Sequence, residues 1–329
     1  PFGTNLRTAK RLQKILLKHF DEKQIFLLDH YLGKEAVSNL LSLRLANPIL
    51  NTLLDRKNVA NIQIHAMENV DIEGRANYFD HVGIARDMVQ SHLLQILSYL
   101  TMNLPTQKTA EAIRKEKIKI LKSAQIKSVP DEVIRGQYQG YRKEKGIAPD
   151  SQAETFVALK LRLKHPAWKN VPIYFRTGKA LKDKWTAVVI EFKSQDIQER
   201  YGIKEVNRLV IQLQPTEKIE FHLLTKLGGK TFDFHELTTG RPIYCSGDCI
   251  SEHGRLLLDV IDNKKGLFLS FEEILAAWKV IDPIEKLCSK MRSKCTLLHV
   301  YPRGSLGPKA AEHLIEKEGF KWFYSLPKK

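Results

Sequence analysis

Five short runs of alternating apolar and polar residues follow one another between residues 155 and 226. They read TFVALKLRL, VPIYFRTG, TAVVIEFK, RLVIQLQP and IEFHLLTK. A period of two places every second side chain on the same face of a strand. Strands of this kind are typical of an antiparallel sheet with one face on a core. The sequence therefore predicts such a sheet for the middle of the chain.

Segments with apolar residues at helical spacing lie on both sides of this block. Before it, helices are predicted over 5–20, from 35 to about 47, over 82–103 and within 107–135. The run NVANIQIHAME at 58–68 predicts one further, half-buried strand. After the block, HGRLLLDVIDN, SFEEILAAWKVIDPI and GPKAAEHLIEKEGF predict three more helices. A block of strands flanked by helices favours an α+β domain.

The first 28 residues predict a different kind of unit. The helix over 5–20 is followed by QIFLL at 24–28, a nearly continuous apolar run like a strand buried in a parallel sheet. A parallel sheet needs several such units, and none precede this one. We therefore expect the chain to begin inside an α/β domain. Residues 1–28 would be its remnant, and residues 29–329 a second domain.

The net charge of +16 is compatible with three kinds of partner, namely nucleic acid, an anionic membrane and anionic substrates. Lys and Arg are interleaved with Asp and Glu, as in RKEKIKILK, and the sequence contains no zinc-finger spacing or RNP motif, so we expect no nucleic-acid binding. No apolar run reaches the ~18 residues that span a bilayer, and no signal peptide opens the chain. A cytoplasmic protein with four reduced cysteines, and no membrane partner, is predicted.

Three clusters of polar residues lie at the ends of apolar segments. The first is DHYLGKE at 29–35, the second is EGRANYFDHVGIARDMVQSHLLQ at 73–95, and the third is FRTGKALKDK at 175–184. In the first, an acid, an imidazole, a phenol and an amine follow a strand-like run. That combination indicates a site rather than an ordinary strand end.

The second cluster places Asp87 and His92 on one predicted helix. At ~100° per residue they lie ~140° apart around an α-helix, so their side chains are not expected to meet. If His92 is a base, the carboxylate that orients its imidazole comes from elsewhere, and Asp29 is the candidate. The alternative is a hydrogen-bonded histidine without a chemical role on a mostly apolar helix.

The first and third clusters both offer donors to an anion. His30, Tyr31 and Lys34 lie within five residues, and Lys179 and Lys184 lie around a glycine-containing turn between two strands. Such cations and donors suit a phosphate. The alternative is that the turn lysines are only solvated. The sequence contains neither a Walker motif nor GxGxxG.

Taken together, these clusters resemble the glucose-6-phosphate dehydrogenase family. DHYLGKE resembles its substrate signature, and EGRANYFDHVGIARDMVQSHLLQIL resembles the helix that carries its catalytic histidine. VPIYFRTGKAL, LVIQLQP, RLLLDV and YPRGSLGP match further blocks in order, so the likeness covers nearly the whole chain. The resemblance implies a large, mainly antiparallel sheet packed against helices. It also implies oxidation of glucose 6-phosphate to 6-phosphogluconolactone, with NADP or NAD as hydride acceptor.

The resemblance further implies roles for individual residues. His92 would be the general base that takes the proton of the C1 hydroxyl as hydride leaves C1, and Asp29 would orient its imidazole. The residues implied to hold the phosphate are His30, Tyr31 and Lys34. Glu68 and Asp87 would accept hydrogen bonds from sugar hydroxyls. The residues implied to close the pocket from the sheet are Lys179, Lys184 and Gln214.

Departures from the family pattern concern nucleotides above all. The coenzyme domain is reduced to residues 1–28, so we expect NADP or NAD to act in the parent enzyme, none to bind this chain, and no activity from this chain alone. Gln212 stands where members with a second, structural NADP site tend to carry arginine, although Arg176 keeps one basic position. SEHG precedes RLLLDV, where the family usually has an Asp-Ala-Tyr-Glu-like run.

The resemblance implies a homodimer or tetramer that assembles through the sheet, and no metal site. Two other functions stay open at this stage. One is a non-catalytic scaffold that binds sugar phosphates, and the other is a basic scaffold for nucleic acid. The intact trio of His92, Asp29 and Lys34 favours the enzyme, because a protein that has lost catalysis has no need of its base.

Overall fold

A computed structural model of the chain describes residues 2–226, 228, 233–243, 250–290 and 297–325. Ten strands within these ranges are β1 (Val59–Met67), β2 (Ala124–Gln125), β3 (Val133–Tyr138), β4 (Phe156–Leu163), β5 (Ile173–Gly178), β6 (Trp185–Phe192), β7 (Arg208–Gln214), β8 (Lys218–Lys226), β9 (Phe234–Pro242) and β10 (Leu298–Tyr301). Their order across the sheet is β10-β3-β4-β5-β1-β6-β7-β8-β9, and β2 pairs with β4. Of these pairs, β1–β5 and β3–β10 are parallel and the others antiparallel. The predicted α+β class and mainly antiparallel sheet are confirmed.

The α-helices are α1 (Leu6–Leu16), α2 (His30–Gly33), α3 (Glu35–Ala46), α4 (Pro48–Leu53), α5 (Ala76–Ile84), α6 (Leu94–Thr101), α7 (Ala110–Ser123), α8 (Val129–Glu132), α9 (Asp196–Arg200), α10 (Glu252–Ile261), α11 (Phe271–Lys290) and α12 (Ala310–Glu316). Short 3₁₀ turns occupy Glu22–Gln24, Tyr141–Lys143 and Pro166–Trp168. Asn5 caps α1 by accepting the backbone N–H of Thr8, whose hydroxyl accepts the N–H of Asn5 in return. Such reciprocal capping explains why this helix begins at Leu6.

Two predicted strands differ from their expected form. Residues 24–28 contain only an isolated bridge between Leu27 and Leu269, because no neighbouring parallel strand pairs with this apolar run among the described residues. Strand β1 is buried along nearly its whole length rather than on one face. Its apolar face packs on the helical layer, and Gln63 on the other face bonds Lys321 and Phe323 of the C-terminal segment. β1 is therefore a central strand.

The helix predicted over 82–103 is broken into segments. Gly83 has φ +70°, and a Cβ built there would lie 2.6 Å from Glu154 Oε1. Glu154 accepts the N–H of Ala85 at 3.3 Å through this carboxylate, and it accepts that of Ile84 at 2.9 Å through its carbonyl. Glycine is thus required for both the backbone conformation and the close approach. A π-helix, Ala85–Leu93, follows and leads into α6.

A buried ion pair joins α7 and α11. The ammonium of Lys117 on α7 lies 2.6 Å from Glu273 Oε1 on α11, and both side chains are at most 2% exposed. The second carboxylate oxygen of Glu273 accepts the N–H and hydroxyl of Ser270. Burial lowers the pKa of Lys117, but Glu273 and Tyr99 outweigh it, and the net pKa is raised. Lys117 is therefore held as a cation in the core.

Among the described residues, no helix has the length and apolar character to cross a bilayer. The predicted state of the cysteines lies outside the described part of the chain. Cys245, Cys249 and Cys295 are not within it, and neither is the side chain of Cys288.

Candidate active site

The DHYLGKE segment forms a single helical turn that leads into α3. Asp29 precedes α2, and its Oδ1 accepts the backbone N–H of Tyr31 at 2.9 Å, as a helix cap does. A Cβ on Gly33 would lie 2.8 Å from the carbonyl oxygen of Glu252, so glycine lets α2 approach α10 closely. The aspartate and the glycine of this segment therefore both have local structural reasons.

Asp29 contacts His92 across 63 residues of chain. The same Oδ1 lies 2.6 Å from Nδ1 of His92, and both side chains are largely buried. With Nδ1–H donating to the carboxylate, Nε2 carries the lone pair and is free to accept a proton. Oδ2 of Asp29 is buried and has no hydrogen-bond partner among the described residues. The pair has the geometry of a base with its orienting carboxylate.

The helix that carries Asp87 and His92 is a π-helix rather than the predicted α-helix, and no hydrogen bond joins the two side chains among the described residues. Leu94 donates its N–H to the carbonyl of Val89, five residues earlier. Residues five positions apart consequently return to nearly the same side of the axis. Asp87 and His92 line one cleft, and Asp87 also accepts the hydroxyl of Tyr78 at 3.0 Å. Burial raises the pKa of Tyr78 to about 12, and the contact with Asp87 adds to this shift.

The catalytic cleft, as we call the cavity beside His92, has a volume of about 440 Å³. Four of its lining residues were singled out from the sequence, namely Asp29, His30, Asp87 and His92. The others are Phe2, Leu27, Leu28, Tyr78, Gln90, Ser91, Gln95, Leu269 and Ile274. One wall is thus polar and rich in carboxylate and imidazole, and the other is apolar.

Aromatic rings surround His92. The ring of Tyr31 stacks on it at 4.4 Å between centroids, and the ring of His30 meets it edge-on at 4.6 Å. Burial and the neighbouring His92 lower the pKa of His30 to about 4, so this imidazole is neutral at pH 7. Burial also raises the pKa of Tyr31, whose hydroxyl bonds Thr186. Both groups are therefore neutral hydrogen-bonding partners.

Lys34 and Gln214 line a second, adjoining cleft of about 520 Å³, which we call the lysine cleft. The ammonium of Lys34 lies 4.1 Å from the ring centroid of Tyr31. Burial lowers the pKa of Lys34, and Glu252 opposes this shift. Gln214 accepts the hydroxyl of Thr186 at 3.3 Å. Lys184 is exposed and lines neither cleft, although its charge reaches Lys34.

Lys179 is not among the residues lining either cleft. Its side chain is 2% exposed, and its ammonium forms an ion pair with Glu68, which follows β1. Residues 179 and 68 lie together because β5 and β1 are parallel neighbours that end side by side. The two predicted substrate residues thus contact each other in this structure.

Arg176 has a buried environment of its own. Its guanidinium donates to the carbonyl of Leu306, lies 3.6 Å from Glu312, and packs against the ring of Trp322. Gln212, the residue in place of the family arginine, accepts the indole N–H of Trp185 at 2.9 Å and donates to the carbonyl of Thr216. Protein contacts thus occupy the amide of Gln212 and part of the Arg176 guanidinium, whose Nε is buried without a hydrogen-bond partner among the described residues.

Several cleft residues were not assigned from the sequence. Tyr78, Gln90, Ser91 and Gln95 all fall within the second cluster. Gln95 is 1% exposed, and its Oε1 has no partner in the described part of the chain. An amide at the position three residues after His92 was the available signal, since a polar side chain on an apolar helix needs a partner.

Two family models match the chain. "Glucose-6-phosphate dehydrogenase, C-terminal domain" matches residues 41–323, which is most of the chain. "Glucose-6-phosphate dehydrogenase, NAD binding domain" matches residues 1–39. The chain belongs to the glucose-6-phosphate dehydrogenase family. Members of this family are NAD(P)-dependent oxidoreductases, which confirms the resemblance. The domain boundary predicted after residue 28 stays a prediction.

Curated relatives in the glucose-6-phosphate dehydrogenase family include the glucose-6-phosphate 1-dehydrogenases of Streptococcus pneumoniae and Bacillus subtilis. They are 37% and 36% identical, and each alignment covers 98% of this chain. The alignments cover 67% and 69% of those relatives, so the chain spans about two thirds of their length. The relative from Arabidopsis thaliana, "Glucose-6-phosphate 1-dehydrogenase 6, cytoplasmic", is 38% identical over 97% of this chain and 62% of its own.

Two solved structures of glucose-6-phosphate dehydrogenases share the fold. The enzyme from Mycobacterium avium superposes with a TM-score of 0.89 and 31% identity, covering 100% of this chain and 70% of that one. A glucose-6-phosphate dehydrogenase in complex with its substrate glucose 6-phosphate gives a TM-score of 0.88 at 30% identity. It covers 98% of this chain and 68% of that one.

The described residues do not by themselves fit a dinucleotide. Residues 2–28 supply α1, a 3₁₀ turn and one isolated bridge. A pyrophosphate is usually held at a glycine-rich turn between a parallel strand and a helix N-terminus, which this segment does not contain. The apolar residues of the catalytic cleft, among them Leu28 at 52% exposure, leave a surface for a flat ring, but the described residues offer no site for its phosphates.

Proposed function

We propose that these residues form the substrate half of an enzyme that oxidises glucose 6-phosphate to 6-phosphogluconolactone, with NADP or NAD as hydride acceptor. The observation that carries the proposal is the Asp29–His92 contact beside a cleft. A neutral imidazole with a free Nε2 suits removal of a hydroxyl proton at neutral pH. The names of the relatives support glucose 6-phosphate as the substrate, and so does the solved structure of a related enzyme in complex with it.

His92 takes the proton of the C1 hydroxyl on Nε2, and Asp29 stabilises the imidazolium that forms. Asp87 and Glu68 accept hydrogen bonds from sugar hydroxyls. His30 and Tyr31 donate to the phosphate, and Lys34 supplies charge beside them. Gln214, which lines the lysine cleft, is a further donor, and Lys179 and Lys184, which line neither cleft in this structure, are the remaining two. Lys179 reaches the sugar phosphate by exchanging its ion pair with Glu68.

The rest of the proposal concerns organisation and location. Residues 1–28 belong with the nucleotide-binding half and residues 29–329 with the substrate half. The enzyme acts in the cytoplasm, as the name of the Arabidopsis thaliana relative supports, and takes neither nucleic acid nor membrane as a partner. The competing hypothesis is a non-catalytic scaffold that binds sugar phosphate. An Asp29→Asn variant that loses activity but keeps substrate binding would argue against that scaffold.

We expect Lys34→Ala to weaken binding of glucose 6-phosphate roughly 10- to 100-fold, since a charge-assisted bond contributes about 1.5–3 kcal/mol. Binding of unphosphorylated glucose changes little, because the contact is to the phosphate. Calorimetric titration of both sugars measures the difference. Lys18→Ala, which removes an exposed lysine that lines neither cleft, is the matched control. Equal losses for the two sugars would move Lys34 away from the phosphate.

A polypeptide of these 329 residues alone is expected to bind sugar phosphate weakly and to leave NADP unreduced. Holding both reactants in place contributes about 7–11 kcal/mol to such a reaction, and the described residues lack a nucleotide platform. Absorbance of the reduced coenzyme, at saturating substrates, measures this. Turnover that tracks the purified chain and disappears in His92→Asn would contradict the expectation.

We expect the chain to self-associate through the sheet. Leu223 on β8 and Leu237 on β9 face each other across the strands and are 38% and 46% exposed. An apolar pair on an open sheet edge is typically covered by a partner. Light scattering at micromolar concentration should give a dimer or tetramer, and Leu223→Lys with Leu237→Lys should shift it toward monomer. Ile197→Lys, an exposed control, should not. A monomer for the unmodified chain would overturn this.

A further inference from the structure

A third cavity has a strongly positive lining that the proposed reaction does not use. This basic cleft has a volume of about 490 Å³, and its cationic lining residues are Arg56, Lys127, Arg162, Lys164 and Lys169. The other lining residues are neutral, so none of the described residues that line the cavity carries a carboxylate. Cations gathered around one cavity repel one another, and an anion bound among them relieves that repulsion.

The basic cleft lies beside the beginnings of the parallel strands β1 and β5. Arg56 precedes β1, and its N–H bonds the carbonyl of Ala167 in the turn before β5. Glu68 and Lys179, at the proposed sugar site, follow the other ends of the same two strands. Nine extended residues of β1 span about 26 Å. The basic cleft is therefore remote from Glu68 and Lys179, and it shares no lining residue with the catalytic cleft.

Local carboxylates do not neutralise the whole basic cleft. Arg162 lies 2.5 Å from Glu132 and 3.0 Å from Glu318, so its charge is already paired. The carboxylate of Asp55 accepts N–H groups of Lys57 and Asn58. Arg56, Lys127, Lys164 and Lys169 are exposed. Within the described residues their side chains form no ion pair.

We propose that the basic cleft binds a multiply charged phosphate anion, an oligophosphate chain. Four unpaired cations match the several negative charges of such a chain, and Arg162, fixed by its two carboxylates, offers further N–H donors. None of the described lining residues is aromatic, so none of them can stack on a nucleobase. Recognition is therefore of the phosphates alone, and a nucleoside triphosphate binds no better than the bare chain.

The test is calorimetric titration of the 329-residue chain with inorganic tripolyphosphate at low ionic strength. We expect saturable binding, equal binding of ATP, and at least tenfold weaker binding of orthophosphate. Lys127→Glu with Lys164→Glu and Lys169→Glu should weaken tripolyphosphate binding at least tenfold. Lys10→Glu with Lys14→Glu and Lys18→Glu changes the net charge equally on exposed residues of the first helical region and should weaken it less than threefold.

Three results would overturn the proposal. They are the absence of saturable binding, an equal loss in the control triple variant, which would indicate diffuse surface charge, and a comparable loss in Lys34→Ala, which would place the anion at the sugar-phosphate site. If the triple variant does not fold, Lys164→Gln with Lys169→Gln serves instead, with an expected loss of at least threefold. ATP binding much tighter than tripolyphosphate would indicate base recognition and contradict the proposed chemistry.

Discussion

His92→Asn is expected to lower kcat by about 10²–10⁴-fold, the usual contribution of a positioned general base, with little change in substrate affinity. The assay requires a competent enzyme, that is, these residues together with a coenzyme-binding domain of the family. The amide side chain has no basic nitrogen, so the C1 hydroxyl proton has no acceptor of suitable pKa. Single-turnover measurements of coenzyme reduction, with kcat and KM determined separately, test this.

Asp29→Asn provides a second variant for the same assignment. Its carboxylate accepts Nδ1–H of His92 at 2.6 Å, and an amide in its place can instead donate to Nδ1, which puts the proton on Nε2. We expect kcat to fall while substrate binding stays. His81→Asn removes an exposed histidine of the same sequence cluster and is the control, with near-normal kcat. If His92→Asn kept kcat and raised only KM, His92 would be a binding residue rather than the base.

Lys117→Met is expected to lower the free energy of unfolding by about 3–5 kcal/mol, although Lys117 touches no substrate. Removal of one partner leaves the carboxylate of Glu273 buried without its counter-charge, which costs far more than an exposed pair contributes. Chemical denaturation monitored by circular dichroism measures the loss. Lys119→Ala, on the same helix, removes an exposed partner of Glu116 and should cost less than about 1 kcal/mol.

Replacing both partners of the buried pair distinguishes the contribution of its charges to stability from that of its side-chain packing. Lys117→Met combined with Glu273→Gln removes both charges and keeps the side-chain volumes similar. We expect the double variant to recover much of the stability lost in Lys117→Met, because no unpaired charge remains in the core. A double variant as unstable as the sum of the single variants would indicate that packing, and not charge, accounts for the effect.

Periodicity predicted most of the elements and missed four strands, of which β2 has only two residues. Strand β3 contains Arg135 and Gly136, β9 is almost wholly exposed, and β10 has four residues, so none shows a clear alternation of apolar residues. Each is specified by its neighbours in the sheet, which a local pattern does not contain. The opposite error occurred at residues 24–28, where a strand-like run pairs with no strand in the part of the chain that the structure describes.

The site was only partly predictable, for a similar reason. Sequence spacing excluded Asp87 as the partner of His92 on an α-helix, so Asp29 was chosen from another cluster. In the structure Asp29 contacts His92. The π-helix itself was not foreseen, because its hydrogen bonds follow from packing on β1 and β5 and from the break at Gly83. The ion pair of Lys179 with Glu68 depends on a parallel strand pairing that local spacing does not reveal.

Because of the π-helix, the number of residues in this part of the chain matters as much as their types. Its wide turn holds one residue more than an α-helical turn, and the α6 segment that follows inherits the resulting rotation. Removal of one residue between Asp87 and His92 would let the backbone tighten into α-helix and restore ordinary bonding. It would also change the angle between the two side chains while every remaining side chain stayed the same. Among homologous sequences, a gap at this place is therefore a better warning of lost chemistry than many substitutions.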